Sequence, residues 1–427
     1  MNFKKLTIRY IGTASTQLIG KALSLIIGVI LARTLGPEQF GVYAVIMSLL
    51  SVICIPSSAG LPQLLIKTIS SKYASKEFQE IRGILNWSLI YISIASVVSI
   101  LIVYILQQFS LFEPSVNDVL IVGLLLVPLR GFITRFIGVL NGLNKPVKSQ
   151  VVNSVIIQSL LICMIYASLK MDFKITSLTI LSMNVGATII GIFIYYFIYR
   201  SSIDSRVFCA NPKYKISKWQ SSLVPFTLLV VIGTLNTELA TLILSHFGSL
   251  SEVGYFKVGL QCVSLLTIGL GAINNVLAPT ISRNFSTGDT LAVQQQLTQS
   301  VWLTSLIAFP AVFVLSVWGD FIINLLFGTE YSESKDILLI LLFGQLFNVL
   351  MGSPGLVLQM TGNERFALKN LTITLILTLF VMLILIPKYS AVGAAISVTV
   401  SIIILNVLSS YDAYVKTGLK TYFRFKI

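Results

Sequence analysis

The stretch LIIGVILARTLGPEQFGVYAVIMSLL, residues 25–50, decides the fold of this chain. It consists of two apolar runs separated by Gly36-Pro37, a dipeptide that interrupts a helix and favours a turn. Each run extends outward to about 20 residues, the length that an α-helix needs to cross the hydrocarbon core of a bilayer. The stretch therefore predicts a hairpin of two membrane-spanning helices.

The rest of the sequence repeats this pattern. Of the 427 residues, 55% are hydrophobic and 11% are charged, whereas soluble domains carry about 25% charged residues. So few charges cannot cover a water-facing surface, which argues against a soluble enzyme. We predict an all-α integral membrane protein with twelve spans. Their limits are 12–34, 39–60, 84–107, 118–140, 147–169, 175–199, 220–246, 254–280, 299–319, 336–359, 367–387 and 391–413.

The basic residues are distributed unequally over the predicted loops. The net charge is +14, from 30 Lys and Arg against 16 Asp and Glu. One alternating set of segments carries 21 of the Lys and Arg residues and the opposite set carries 5. The positive-inside rule explains this asymmetry, so we expect no nucleic-acid partner. The same rule places both termini in the cytoplasm.

The two halves of the chain are weakly similar to each other. The segment from Gly36 to Gly41 matches Gly248 to Gly254, and residues 142–145 match 362–365. Matching elements lie six spans apart, an even number, so both halves have the same orientation. A parallel repeat is typical of two six-helix lobes around a central cavity. We predict a first lobe over 1–199, a basic linker over 200–219 and a second lobe over 220–427.

Four cations fall within the predicted spans, namely Lys21, Arg130, Arg135 and Lys257. A charge at the centre of a span costs about 2.5–3.5 kcal/mol, so each is a candidate functional group. Lys21 shares a polar helical face with Gln17, and Lys257 shares one with Gln261. We predict that an anionic headgroup binds to Lys21, Arg130, Lys257, Gln17 and Gln261. The alternatives are a helix–helix interface with Lys21 paired to a carboxylate, and a Lys257 that reaches the membrane surface. Arg135 lies near a span end, and we expect its charge to reach the interface.

Glu238 is the only carboxylate well inside a predicted span. Desolvation favours its neutral form, whereas a nearby lysine favours its charged form. Two interpretations fit, namely coupling to H⁺ or Na⁺ and a structural ion pair with Lys21 or Arg130. With four intramembrane cations against this one carboxylate, the balance favours an anionic substrate over a cationic one.

The sequence shows no pattern typical of catalysis, metal binding or nucleotide binding. His246 is the only histidine, and the four cysteines lie far apart without metal-ligand spacing. A phosphate-binding loop of the G-x-x-x-x-G-K type is absent, so ATP is not the direct fuel. We expect neither an enzyme nor a bound cofactor or metal.

Residues Leu31–Tyr43 resemble the first-hairpin signature of polysaccharide-biosynthesis flippases, which belong to the multidrug/oligosaccharidyl-lipid/polysaccharide exporter superfamily. Further resembling elements follow in order at 59–62, 278–283, 326–331, 352–355 and 362–365. The resemblance implies a twelve-helix, two-lobed transporter for an undecaprenyl-pyrophosphate-linked oligosaccharide. Such a flippase moves the repeat unit of an O-antigen, lipopolysaccharide or other glycan from the cytoplasmic to the periplasmic leaflet of the bacterial inner membrane by alternating access. The resemblance also implies antiport of H⁺ or Na⁺, and a polymerase and other glycan-assembly membrane proteins as candidate partners.

Three alternatives remain open at this point. A multidrug exporter and a peptidoglycan-precursor exporter belong to the same superfamily, and the second also carries a pyrophosphate-linked substrate. A membrane polymerase or ligase of the same pathway is the third. The predicted outer loops are short and hold no cluster of candidate catalytic groups, which argues against this enzyme.

Overall fold

The computed structural model describes residues 3–108 and 114–424, and the regular structure within those ranges is helical. A π-helical turn at Val152–Ile156 and a 3₁₀ turn at Thr329–Tyr331 accompany the α-helices. The α-helices are α1 Phe3–Ile53, α2 Ile55–Ser58, α3 Leu61–Ala74, α4 Phe78–Gln107, α5 Pro114–Gly123, α6 Leu126–Gly142, α7 Pro146–Val151, α8 Ile157–Lys170, α9 Ser177–Arg200, α10 Ser205–Cys209, α11 Ile216–Phe247, α12 Leu250–Ser286, α13 Thr290–Val317, α14 Gly319–Leu326, α15 Ser334–Met351, α16 Pro354–Met360 and α17 Glu364–Thr417.

Among the described residues, eight helices are long and apolar enough to cross a membrane, and the bent pair of α5 and α6 makes a possible ninth. Two of the eight, α1 and α17, have 51 and 54 residues, about twice the length of one span. The backbone of α1 leaves the helical conformation at Gly36, and that of α17 at Ser390. Each of these two helices therefore contains two of the predicted spans. All twelve predicted spans lie largely on helices, but those at 39–60, 118–140, 299–319 and 336–359 each cross a break between two helices.

The break in α1 follows from its sequence. Gly36 has a φ of 72°, in the left-handed region that favours glycine. Pro37 follows at once and suits the first position of the next helix, where a backbone N–H is not needed. The Gly-Pro pair thus ends one predicted span and begins another, as the sequence predicts.

The chain forms two compact units by its contacts. The first unit comprises Met1–Ile27 and Val45–Glu238, and the second comprises Gly28–Ala44 and Leu239–Ile427. The hairpin segment Gly28–Ala44 belongs to the second unit, although it is near the amino end of the sequence. The basic linker and the first part of α11 belong to the first unit.

The linker is a folded part of the first unit. The backbone N–H of Lys213 donates to the carbonyl of Gln79 at 2.9 Å. The Trp219 ring is buried against Trp87, with 5.6 Å between the ring centroids. Glu80, at the start of α4, forms ion pairs with the linker residue Lys215 and with Lys72 of α3. Backbone, ring and charge contacts therefore all attach the linker to α4.

The two matching hairpins pack against each other within the second unit. A methyl group on Gly41 would lie 1.8 Å from the carbonyl oxygen of Leu250. One on Gly254 would lie 2.4 Å from the carbonyl oxygen of Pro37. Each hairpin thus contributes the glycine that lets the backbone of the other approach. The glycines occupy corresponding positions of the predicted repeat, which gives that repeat a structural role.

Polar contacts also hold the first hairpin in the second unit. The Tyr331 hydroxyl donates to the carbonyl of Ala32 at 3.0 Å, and this ring is fully buried beside Phe40. The Arg33 guanidinium donates to the carbonyls of Leu325 and Leu326. These carbonyls end α14 and have no partner within their own helix, so Arg33 caps that helix.

Candidate functional site

Two oppositely charged side chains meet neighbouring positions of α1 within the first unit. The Ser48 hydroxyl donates to a carboxylate oxygen of Glu238, on α11, at 2.6 Å. A guanidinium nitrogen of Arg130, on α6, lies 3.7 Å from the sulfur of Met47. Met47 and Ser48 are consecutive residues, so Arg130 and Glu238 approach the same turn of α1. The structure thus brings two of the predicted site residues, Arg130 and Glu238, to the same part of α1.

Hydrogen bonding to a distant turn positions Glu238. The Thr227 hydroxyl, eleven residues earlier on α11, donates to the carbonyl of Ala59 at 3.1 Å. Eleven residues of α-helix span about 16 Å, so this bond fixes one end of the segment that carries the carboxylate. Ser48 is buried, whereas Glu238 and Arg130 are half-buried. The two charged groups are therefore only partly buried.

The other predicted site residues divide between the units. Lys21 and Gln17 are exposed on α1 in the first unit. Lys21 forms no ion pair with a carboxylate within residues 3–108 and 114–424. Lys257 and Gln261 are half-buried on α12 in the second unit. The side-chain amide of Gln261 lies against Gly28 of α1.

The expectation for Arg135 is wrong. Its side chain is 4% exposed and does not extend to the membrane surface. Its guanidinium donates to the Ser88 hydroxyl at 3.0 Å and to the Leu85 carbonyl at 3.3 Å. It also lies 5.4 Å from the centroid of the Tyr199 ring. Hydrogen bonds and a cation–π contact compensate for burial of this charge, so Arg135 is a packing residue of the first unit.

No group of three or more His, Cys, Asp or Glu side chains that could hold a metal ion occurs in the described part of the chain. The chemistry available near α1 is that of a guanidinium, a carboxylate and a hydroxyl. Such groups can bind an oxyanion, exchange a proton or coordinate a small cation.

Comparison with known families settles the classification. A sequence model described as "Polysaccharide biosynthesis protein" matches residues 10–285, and the MatE model matches residues 225–385. The first match covers well over half of the chain. The chain belongs to the polysaccharide biosynthesis protein family. The predicted resemblance is thereby confirmed.

Two curated relatives match parts of the chain. The capsular polysaccharide biosynthesis protein CapF of Staphylococcus aureus is 27% identical over 178 residues, which are 42% of this chain and 45% of CapF. The probable low-salt glycan biosynthesis flippase Agl15 of Haloferax volcanii is 24% identical over 169 residues, 40% of this chain and 36% of Agl15. The chain spans less than half the length of these relatives.

The fold is similar to that of a solved transporter over nearly the whole chain. The lipid II flippase MurJ in its inward closed conformation superposes with a TM-score of 0.75 at 15% sequence identity. The superposition covers 95% of this chain and 88% of MurJ. At this identity the likeness concerns the fold alone. It confirms the predicted all-α fold of an integral membrane protein.

Proposed function

We propose that this protein is a flippase for a polyprenyl-pyrophosphate-linked oligosaccharide repeat unit. It would move the unit from the cytoplasmic to the periplasmic leaflet of a bacterial inner membrane by alternating access. The observation that carries the proposal is Arg130, which lies half-buried among membrane-length helices and forms no ion pair within the described residues. A cation held in this way requires an anionic partner, because burial of an unpaired charge is costly.

A pyrophosphate fits this requirement. The planar guanidinium donates two parallel hydrogen bonds to phosphate oxygens, and such charge-assisted bonds are strong where water is scarce. Lys21 and Lys257 add positive charge, and Gln17 and Gln261 add amide donors. We assign these five residues to the headgroup, with Arg130 as the central contact. The names of CapF and Agl15, which concern glycan biosynthesis, support a glycan on that headgroup.

We assign ion coupling to Glu238. Its carboxylate accepts a hydrogen bond from Ser48, and Arg130 contacts Met47, the preceding residue of α1. Binding of H⁺ or Na⁺ would neutralise the carboxylate and change its attraction for the guanidinium. The occupancy of Glu238 would then alter the positive charge available to the pyrophosphate, which links the ion to the substrate.

A peptidoglycan-precursor exporter remains the second candidate, because its substrate carries the same pyrophosphate. A multidrug exporter fits less well, since its cationic ligands would be repelled by Arg130 and Lys21. In either case the protein acts as a transporter. A polymerase and other glycan-assembly proteins would receive the delivered unit.

The test is transport in proteoliposomes. We would place a polyprenyl-pyrophosphate oligosaccharide of the native pathway in the outer leaflet and follow its protection from an external glycosidase. We expect protection that depends on the protein and is faster under an imposed pH or sodium gradient. Lack of protection in vesicles that hold folded protein would contradict the proposal.

Substitutions in the site sharpen this test. We expect Arg130→Gln to reduce the transport rate about tenfold or more, the effect of losing charge-assisted bonds worth about 1.5–3 kcal/mol. Glu238→Gln should remove the response to the gradient. Lys388→Gln, in the predicted loop between spans eleven and twelve, is the matched control and should transport normally. Normal transport by Arg130→Gln would remove this residue from the site.

A further inference from the structure

A ladder of amide side chains joins α15 to the second part of α17 within the second unit. The Asn348 amide nitrogen donates to the side-chain oxygen of Gln345 at 3.2 Å. The Asn406 amide nitrogen donates to the side-chain oxygen of Asn348 at 2.9 Å. We call Gln345, Asn348 and Asn406 the amide ladder.

The orientation of the ladder is fixed from one end. The amide nitrogen of Asn406 also donates to the carbonyl of Ile402, one turn earlier on its own helix, at 2.9 Å. A carbonyl only accepts, so this bond requires the nitrogen of Asn406 rather than its oxygen at that place. The same nitrogen then turns the oxygen of Asn348 toward α17, and the nitrogen of Asn348 toward Gln345. The three amides form one directed chain.

The ladder lies away from the most exposed face of α15. Phe343 is 62% exposed and Leu339 is 37% exposed, as expected for side chains that meet lipid. At 100° per residue, Gln345 and Asn348 lie roughly 140–200° around the helix from Phe343. Both side chains are nevertheless half-buried, so part of their surface stays exposed. Hydrocarbon cannot satisfy amide groups, so their exposed surface indicates a water-accessible opening within this unit.

A second polar pair supports this interpretation. The hydroxyl of Ser353, between α15 and α16, donates to the side-chain oxygen of Asn274 on α12 at 2.5 Å. Both residues are half-buried. A methyl group on Gly355, two residues further, would meet no atom within 4 Å. Open space therefore adjoins Gly355, two residues along the chain from Ser353.

The ladder is suited to hydroxyl groups rather than to phosphate. Each amide offers two N–H donors and a carbonyl acceptor, the complement of a sugar hydroxyl that both donates and accepts. Within the ladder, the side-chain oxygen of Gln345 accepts one hydrogen bond, from Asn348. The amide nitrogen of Gln345 takes no part in the ladder and can donate to a ligand. No member of the ladder is charged, so it lacks the cations that a pyrophosphate requires.

We propose that the amide ladder binds the oligosaccharide of the substrate through its hydroxyl groups and thereby selects which glycan is transported. This inference rests on the proposed function, because it assigns the sugar part of the same lipid-linked substrate. The pyrophosphate would depend on Arg130 and its neighbours, and the glycan on Gln345 and Asn348.

The test compares two lipids on the purified full chain. One probe is a polyprenyl-pyrophosphate oligosaccharide of the native pathway, and the other is the same polyprenyl pyrophosphate without sugar. We expect Gln345→Leu and Asn348→Leu to weaken binding of the glycan-bearing lipid about tenfold, the effect of one hydrogen bond left unpaired. Binding of the sugar-free lipid should be unchanged. Gln299→Leu, an exposed amide on α13, is the matched control and should bind both lipids normally.

The outcomes separate the inference from the proposed function. Equal loss for both lipids, or no loss for either, would show that the ladder only joins two helices and would overturn the inference. Wild-type protein that binds both lipids equally would overturn it as well. Wild-type protein that binds neither lipid would contradict the proposed function itself. If the leucine variants do not fold, Gln345→Asn keeps the amide but shortens it, and we expect the same selective loss from that variant.

Discussion

Glu80 shows how a charged residue outside the spans is stabilised. Its side chain is 3% exposed, and its carboxylate lies 2.7 Å from the ammonium of Lys215 and 3.3 Å from that of Lys72. Burial by itself raises the pKa of Glu80, but hydrogen bonds and charges from Lys215 and Lys72 outweigh burial and lower the pKa overall. The carboxylate therefore stays ionised at neutral pH, where it holds the linker to α3 and α4.

We expect Glu80→Gln to lower the melting temperature of the purified protein. The free energy of unfolding should fall by about 1 kcal/mol, because two partly exposed lysines lose their charged partner. A lowered pKa in the folded state contributes stability at neutral pH that is lost as the pH falls through that pKa. The difference between wild type and variant should therefore shrink as the pH falls below the ordinary glutamate pKa of about 4.3, and vanish once the pH is below the lowered pKa of Glu80. Asp204→Asn, in an exposed pair with Arg206, is the control and should melt like wild type. An equal effect of both substitutions would contradict this account.

The two arginines of α6 show what a sequence reveals about single residues. Both are identifiable as intramembrane charges, and Arg130 remains half-buried as a candidate site residue. The burial of Arg135 could not be predicted, because its partners Ser88 and Tyr199 come from α4 and α9. Helical spacing reports which residues share a face of one helix. It does not report which distant side chains meet that face.

At the scale of elements, the crossing of the two hairpins depends on Gly41 and Gly254. We expect Gly41→Ala and Gly254→Ala each to destabilise the protein by about 1–3 kcal/mol, since the new methyl group would clash with a backbone carbonyl that cannot move alone. Thermal unfolding in detergent measures this effect. Gly233→Ala on α11 is the control, because its methyl group would meet nothing within 4 Å and alanine favours a helix. Equal stability of all three variants would exclude a tight crossing.

The positions of most helices follow from the sequence, but their bends do not. Hydropathy locates the spans, and Gly36-Pro37 locates the break in α1. The 41° bend between α5 and α6 lies at Gly123 and just before Pro128, but the prediction treats 118–140 as one unbroken span. The π-helical turn at Val152–Ile156 coincides with no Gly or Pro. Ser390 adopts a φ of 44° although serine has no preference for that region. Such features arise from packing between helices, which a single sequence does not encode locally.

At the scale of the whole molecule, the sequence halves and the compact units are different divisions. The repeat relates segments with similar sequence, and the predicted lobes meet at 200–219. The contacts instead divide the chain within α1 and within α11, at Ile27–Gly28, Ala44–Val45 and Glu238–Leu239. A sequence repeat shows only that the first half of the chain is similar to the second half. It does not show which hairpin packs with which unit, and so the assignment of Gly28–Ala44 required the structure.

The direction of proposed transport depends on the orientation of the chain, which loop charges alone predict. In a variant without its four natural cysteines, we would introduce Phe173→Cys or Asn211→Cys and add a membrane-impermeant maleimide to intact cells. Both side chains are exposed, and the positive-inside rule predicts labelling of position 173 from outside and of position 211 only after lysis. The two positions flank α9, so labelling of both from the same side would mean that α9 does not cross the membrane. Labelling of position 211 alone in intact cells would place the basic linker outside the cell. The chain would then have the opposite orientation, and the proposed direction of transport would be reversed.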